Sequence, residues 1–442
     1  MATREMVASA EPAQNVLDSS VTGNYTRPLA IVTTLFFMWG FLTCLNDILV
    51  PHLKSIFDLS YTQVMLVQFA FFSAYFLFSA PWSKIVNTIG YQKTMVVGLL
   101  TMGIGAFLFV PAASAPSFPL FLTALMILAT GITGLQVAAN PYVIVLGNPK
   151  TASSRLNLTQ AFNSLGTTLA PMLGGLFILS AAPLAIEQLR QLSPQALHAY
   201  RVHQAASVQM PYVIIGIALV LLAVAIGRFK LPKIEHAEGP LGEKSNDSIW
   251  KHPNLLYGAL GIFAYVGAEV SVGSFLVNYF GQPDIAGLSP QVAAGYVSFY
   301  WGGAMVGRFI GAAVLQRIKT GHLLAICAVC TATLVTVSML TTGHLAMWSM
   351  IGVGFFNSIM FPSIFTLGVA ELGPLTGNGS GLMNMAIVGG AIIPLIQGAM
   401  ADRIGIHHAF FLPVICYLYI LFYALRGSMP NSERYANGLE KA

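Results

Sequence analysis

Charge is what this sequence has least of. Only 8 % of its 442 residues are Asp, Glu, Lys or Arg, against 56 % hydrophobic residues and a mean hydropathy of +0.72. A water-soluble surface draws on roughly a quarter charged residues, so this composition excludes a soluble globular protein. Cysteine is scarce too: Cys44, Cys327, Cys330 and Cys416 all fall in apolar runs, which excludes a disulfide framework and redox chemistry. Cys327 and Cys330 form a CxxC, but with no His or acid nearby they read as small packing residues rather than a metal site. No glycine-rich nucleotide loop lies in a polar segment, and no polar segment is long enough for a catalytic domain. The chain is therefore not expected to be an enzyme.

What is present is apolar sequence in blocks long enough to cross a hydrocarbon layer of roughly 30 Å, about twelve of them. They lack the alternation of a barrel, which leaves helices as the spanning element because lipid pairs with no backbone group. The expected spans are 29–50, 61–87, 93–113, 117–147, 156–180, 210–229, 254–280, 291–316, 321–341, 343–370, 378–400 and 406–427. The most charged interior break follows span six and reads as a linker, 230–253, between six-helix halves at 29–229 and 254–427, with tails at 1–28 and 428–442. The first 28 residues are polar and lack the apolar core of a cleaved signal, so span one is expected to act as its own anchor.

Basic residues set the orientation. Lys84, Lys93, Lys150, Arg155, Arg228, Lys230, Arg317, Lys319 and Arg426 fall on the side of the N-terminus, whereas Lys54, Arg190, Arg201 and Arg403 fall opposite. Both termini and the linker are thus expected in the cytoplasm. The net charge of +5 is read as a topology signal, with the lipid bilayer as partner and no nucleic acid.

An internal repeat carries more information. "GITGLQVAANPYVIVLG" at 131–147 aligns without a gap on "GVGFFNSIMFPSIFTLG" at 352–368, placing Gln136 on Asn357 and Pro141 on Pro362; the same offset places Asn163 on Asn384. A parallel duplication of six-helix halves is the pattern of the major facilitator superfamily, with substrate between the halves near the midplane. The expected fold is all-α and polytopic, with twelve transmembrane helices in two halves, and a single chain suffices for function as a monomer.

Amides inside such helices need a partner or a wet cavity. Gln136 and Asn140, four residues apart, share a face, and Pro141 frees a carbonyl beside them. Asn46 and Asp47 in span one, Gln68 in span two, Gln160 and Asn163 in span five, Glu269 and Asn278 in span seven, Asn357 in span ten and Asn384 in span eleven add further groups, as does Gln397. Trp39, Tyr265, Phe299, Tyr300 and Trp301 supply flat rings. Neutral amides, a few acids and aromatic faces suit a sugar. Each group also has a plainer reading: amides tie helices together, aromatics pack, and Arg308 in "MVGRFIG" serves a structural or gating pair.

"LFFMWGFLTCLNDILVPHLK", "QVAANPYVIVLG", "SRLNLTQAFNSLGTTLAP", "YVGAEVSVGSFLVNYF" and "FFNSIMFPSIFTLG" resemble the fucose, galactose and glucose symporters of that superfamily, most of all bacterial glucose/galactose porters. The resemblance extends over all twelve spans and includes the "LSPQALHAY" segment in the outer loop. It implies cation-coupled uptake of a hexose, glucose and galactose, across the bacterial inner membrane by alternating access. Of the two membrane carboxylates of the fucose permeases, one matches Asp47, while the other is replaced by Gln136, which cannot titrate; Thr43 and Cys44 stand where those permeases have paired amides. An ionised Asp47 among the oxygens of Asn46, Gln136, Asn140 and Asn163 would offer a cage for sodium, with Asp47 as the candidate ligand, so sodium is favoured as coupling ion and no other cofactor is expected. The alternatives are proton coupling through Asp47 or Glu269, as in a fucose-type symporter, and a multidrug antiporter, suggested weakly by "GTTLAPMLGG", in which Ala170 replaces the motif's glycine. A sugar receptor of transporter fold is a third reading.

Overall fold

The computed structural model describes residues 25–57, 61–114, 117–177, 192–206, 209–232 and 248–430. Every regular element among them is helical. The first six spans are α1 (Thr26–Phe57), α2 (Tyr61–Ile89), α3 (Tyr91–Ser114), α4 (Phe118–Val145), α5 (Ala152–Phe177) and, after the short outer helix α6 (Pro194–Ala206), α7 (Gln209–Arg228). The second six are α8 (Pro253–Phe280), α9 (Pro290–Val314), α10 (Thr320–Leu340), the broken pairs α11 (Gly343–Asn357) with α12 (Met360–Gly368) and α13 (Thr376–Met385) with α14 (Gly389–Ile404), and finally α15 (Ile406–Ala409) with α16 (Phe411–Phe422). Side chains at 43–57, 61–68 and 170–177 lie outside the description, so the candidates Asn46, Asp47 and Gln68 have a placed backbone and no described side chain.

Local sequence explains the boundaries. Pro253 and Pro290 open α8 and α9, where a missing N–H costs nothing. Gly90 and Gly405, at φ +81° and +84°, each form by themselves the turn between consecutive helices, a conformation that side chains disfavour. "LSPQALHAY", expected as part of an outer loop, begins α6: Ser193 caps its first turn by accepting from Ala196 N at 3.2 Å.

Two of the expected continuous spans are interrupted. Span ten breaks between Asn357 and Met360, where Pro362 has no N–H to return to the Ser358 carbonyl four residues earlier. Span eleven is interrupted by a tight turn at Ala386–Val388 before Gly389 and Gly390. A Cβ on Gly389 would collide with the Phe263 carbonyl oxygen, so this glycine lets α14 lie against α8 at backbone distance.

Among the described residues nine helical stretches are long and apolar enough to cross a membrane. The remaining three spans are α1, whose described apolar part ends at Leu42, and α5 and α9, which carry more polar residues. Helices α5 and α9 pack against each other across the two halves, which explains why they need not be uniformly apolar.

The neighbour pattern repeats between halves. In the first half α1 packs on α5, α3 on α4 and α7, and α2 on α4; in the second α8 packs on α14, α10 on α11 and α16, and α9 on α11. The halves meet where α5 faces α9 and α2 faces α13, which are each other's counterparts under the repeat.

Residues 226–232 mark one end of the bundle, where Gln92 Nε2 donates to the Ile226 and Phe229 carbonyls at 2.8 and 2.6 Å and Tyr142 Oη to that of Pro232 at 3.2 Å. At this linker-side end the halves are hydrogen-bonded together. Ser83 Oγ and Asn87 Nδ2 donate to Asn378 Oδ1 at 3.0 and 2.5 Å, Thr320 Oγ1 to Ser153 Oγ at 2.8 Å, and Ser154 Oγ to the Ala312 carbonyl at 2.6 Å.

Within the first half, α3 and α4 touch at backbone distance through Gly98, Gly105 and Gly131; a Cβ on Gly131 would lie 2.6 Å from the Gly98 carbonyl oxygen and the Met102 nitrogen. Gly131→Val is therefore expected to force these helices apart and cost about 1–3 kcal/mol. Thermal unfolding of the detergent-purified variant, compared with Gly295→Ala, where a Cβ meets nothing within 4 Å, checks this.

Candidate functional site

The two prolines of the repeat each free a main-chain carbonyl, and each carbonyl has been claimed by a side chain from elsewhere. Pro141 lies inside a continuous α4 and leaves the Val137 oxygen without its helical donor; Ser380 Oγ of the opposite half donates to it at 2.9 Å. Pro362 leaves the Ser358 oxygen, and Arg308 Nε donates to it at 3.2 Å. Unpaired carbonyls in hydrocarbon are costly, which makes both positions fixed points of the site.

Arg308 is the most connected of these groups. Its Nη1 donates to Ser164 Oγ of the first half, its Nη2 lies 3.9 Å from Glu269 Oε1, and its own carbonyl accepts from Asn157 Nδ2 at 3.0 Å. It therefore joins the halves twice, through side chain and backbone. Glu269 Oε1 also accepts from Tyr265 Oη at 2.8 Å; Tyr265 Oη lies 3.0 Å from the Asn357 carbonyl, and Asn357 Nδ2 donates to Tyr300 Oη at 3.0 Å. Glu269, Asn357, Tyr265 and Tyr300 are thus gathered into one network on α8, α9 and the end of α11, with Glu269 and Arg308 only 15 % and 13 % exposed.

The first half supplies amides in a different state. Gln136 Nε2 donates to Tyr75 Oη at 2.7 Å, while Gln136 Oε1 is buried without a partner. Both side-chain polar atoms of Asn140 and the Nε2 of Gln160 are likewise buried and unpartnered. Asn163 differs: its Nδ2 donates to the Phe36 carbonyl at 2.9 Å, and a Cβ on Gly40 would sit 2.7 Å from it, so it ties α5 to α1. In the second half the Oδ1 atoms of Asn357 and Asn384 and both polar atoms of Gln397 are unpartnered, while Asn384 Nδ2 donates to the Ser380 carbonyl at 2.8 Å. Each such atom represents roughly 1–3 kcal/mol of unreturned desolvation, which a polar ligand that reached it would return.

Other candidates fall apart from this set. Asn278 is exposed near the end of α8, and Phe299 and Trp301 are exposed at 60 % and 44 % while Tyr300 between them is buried. Trp39 is buried and hydrogen-bonds the Tyr75 hydroxyl, so its N–H serves the protein and its ring is what remains for a substrate. Tyr75, Ser164 and Ser380 were not singled out from sequence. Ser380 had a signal, since each repeat proline implies a free carbonyl that some donor must meet.

A crevice of about 630 Å³ lies between α2, α4 and α14, lined by Phe69, Phe76, Leu77, Met126, Ile392 and Leu395 among others. Its walls are apolar apart from Ser73 and Thr123 and include none of the amides, so it does not suit a sugar. Among the described residues no three His, Cys, Asp or Glu side chains gather to hold a metal, and Cys327, Cys330 and Cys416 are free thiols.

The sequence profile of the Major Facilitator Superfamily matches residues 31–393. The chain is 52 % identical over 424 residues to a glucose/galactose transporter of Brucella abortus, covering 96 % of this chain and all of that one. It is 34 % identical over 414 residues to the L-fucose-proton symporter of Escherichia coli, covering 92 % and 94 %. A crystal structure of the E. coli fucose:proton symporter FucP is similar with a TM-score of 0.86 at 32 % identity over 92 % of this chain and 100 % of that one. FucP in the outward conformation is similar with a TM-score of 0.84 at 33 % identity, covering 92 % and 99 %.

The Glu269–Arg308 pair yields a stability test. Removing one member strands a charge inside the bundle, whereas replacing both with neutral amides does not. Glu269→Gln and Arg308→Gln are each expected to lower thermal stability, and the double variant to fall by less than their sum, with a coupling of about 1–3 kcal/mol in a detergent unfolding cycle.

Proposed function

The chain belongs to the Major Facilitator Superfamily, a family of membrane transporters, and from that membership we propose that it takes up glucose and galactose together with a cation across the bacterial inner membrane. The observation that carries this reading is the group of buried, unpartnered amide atoms on Gln136, Asn140, Gln160, Asn357 and Asn384. A hexose hydroxyl both donates and accepts, so a ring of hydroxyls satisfies carbonyl and NH₂ ends alike. The relatives named as sugar transporters support the same substrate class.

In this reading both termini and the linker lie in the cytoplasm, and the hydrogen-bonded linker-side end is the closed cytoplasmic gate of an outward-facing state. The gate is made of neutral hydrogen bonds: Ser83 and Asn87 with Asn378, Ser153 with Thr320, Ser154 with the Ala312 carbonyl, and Ser380 with the Val137 carbonyl. Each contributes a net ~0.5–1.5 kcal/mol, so a ligand that binds the two states with affinities differing by a few kcal/mol moves the equilibrium. Sugar and cation together supply that difference, the halves rock about the site, and the inner gate opens.

Sodium is the cation we favour. Gln136 does not ionise, which leaves Asp47 as the candidate charged group of the first half, and the Asn140 Oδ1 is an oxygen with no protein donor, the kind of ligand a hard monovalent ion takes alongside an ionised Asp47. The proton reading has its own supporting observation: Glu269, held by Tyr265 and Arg308, is a carboxylate of the second half inside the bundle.

Initial-rate uptake of labelled glucose into proteoliposomes separates these readings. An imposed sodium gradient in buffered pH is expected to accelerate uptake, and a pH gradient in sodium-free buffer is not. Acceleration by the pH gradient alone would transfer coupling to Asp47 or Glu269 as proton carriers. Asp47→Asn is expected to abolish concentration of sugar while leaving sugar-dependent protection of the purified protein measurable.

A further inference from the structure

Gln136 is an amide at a point where three helices of the first half converge, and an amide, unlike a carboxylate, has two unlike ends. One end must face Tyr75 and the other must face away, so its neighbours decide which chemistry it offers. Tyr75 on α2 is rigidly held: it is 3 % exposed, its carbonyl accepts from Ser79 Oγ at 2.5 Å, and its ring meets that of Phe71 edge-on at 5.6 Å between centroids. Its hydroxyl receives Gln136 Nε2 at 2.7 Å and is also hydrogen-bonded by Trp39 of α1, whose ring packs on Phe36 at 5.5 Å. With the NH₂ group spent on Tyr75, the carbonyl end of Gln136 is the end left buried and unpartnered.

We infer that Tyr75, braced by Trp39, is a positioning residue that orients Gln136 so that its carbonyl oxygen is the neutral acceptor for one hydroxyl of the transported sugar. This rests on the sugar-uptake reading above and adds to it a direction: at this contact the sugar donates and the protein accepts. The arrangement gives an uncharged side chain the accepting role a carboxylate would have, without a charge to neutralise. It also assigns a function to Tyr75, which acts on the sugar through Gln136.

The test uses proteoliposomes of the full-length chain and competition by a panel of monodeoxy and deoxyfluoro glucoses. Fluorine replaces a hydroxyl's bulk and accepts weakly but donates nothing. At one ring position both analogues are expected to compete about tenfold less well than glucose, the weight of one hydrogen bond. If fluorine restores competition at every position where hydrogen loses it, Gln136 presents its NH₂ and the inference is overturned. That comparison needs only the wild-type protein.

The second arm is Tyr75→Phe. It is expected to raise KM for glucose about tenfold with the maximal rate unchanged, and to erase discrimination at that ring position. In a Gln136→Glu background, where both oxygens accept and no orientation is needed, the same substitution is expected to change KM less than twofold. Equal effects of Tyr75→Phe in both backgrounds would mark it as a packing residue and overturn the inference. If the wild-type protein takes up neither glucose nor galactose, the transport reading itself fails, and this inference with it. Uptake with unchanged discrimination in Tyr75→Phe overturns the inference alone.

Discussion

A hydrocarbon layer offers no water to a backbone carbonyl, and this structure is organised around two carbonyls that have lost their helical donors. Pro141 and Pro362 occupy matching places in the repeat and each releases the oxygen four residues earlier. The responses differ. Val137 is met by a serine from the opposite half, so helix α4 stays continuous and the bond crosses the interface. Ser358 is met by an arginine, and there the span breaks into α11 and α12. The requirement to pair one oxygen thus places Ser380 against the first half in one case and brings a cation into the bundle in the other.

That cation explains much of what surrounds it. An unpaired guanidinium inside a membrane is expensive, and Glu269 stands 3.9 Å away to offset it. Tyr265 and Asn357 continue the network, while Ser164 and Asn157 tie Arg308 to the first half. The charged pair itself lies within the second half. What crosses the interface elsewhere is neutral, namely serine, threonine and asparagine contacts of modest net strength. A transporter must break such contacts on every cycle. Keeping the ion pair inside one half lets the halves separate with loss of the Arg308 contacts to Ser164 and Asn157 but without parting Glu269 from Arg308.

The amides divide along the same physical line. Asn163 gives its Nδ2 to a backbone carbonyl of α1 and fits only because Gly40 has no side chain, so that end of the amide ties the two helices together. Gln136, Asn140 and Gln160 have polar atoms buried without partners, a state that costs about 1–3 kcal/mol for each atom until something else completes it. Residue type does not distinguish these cases, since an asparagine in an apolar helix looks the same in sequence whether it glues or binds. The partner on the neighbouring helix makes the difference.

The sequence by itself determined that the chain is a helical membrane protein of two repeated halves, because apolar run length and the Gly, Asn and Pro spacing of the repeat are local properties that lipid reads directly. It also marked the polar positions, since an amide or acid in hydrocarbon is conspicuous wherever it lies. Tertiary structure decided the rest: that Arg308 spans the halves, that Ser380 answers Pro141, and that Gln136 turns its carbonyl away from Tyr75. The physical reason is that each of these is a pairing between groups tens to hundreds of positions apart, and hydrogen-bond donors find their acceptors by distance in space, which one-dimensional spacing does not encode.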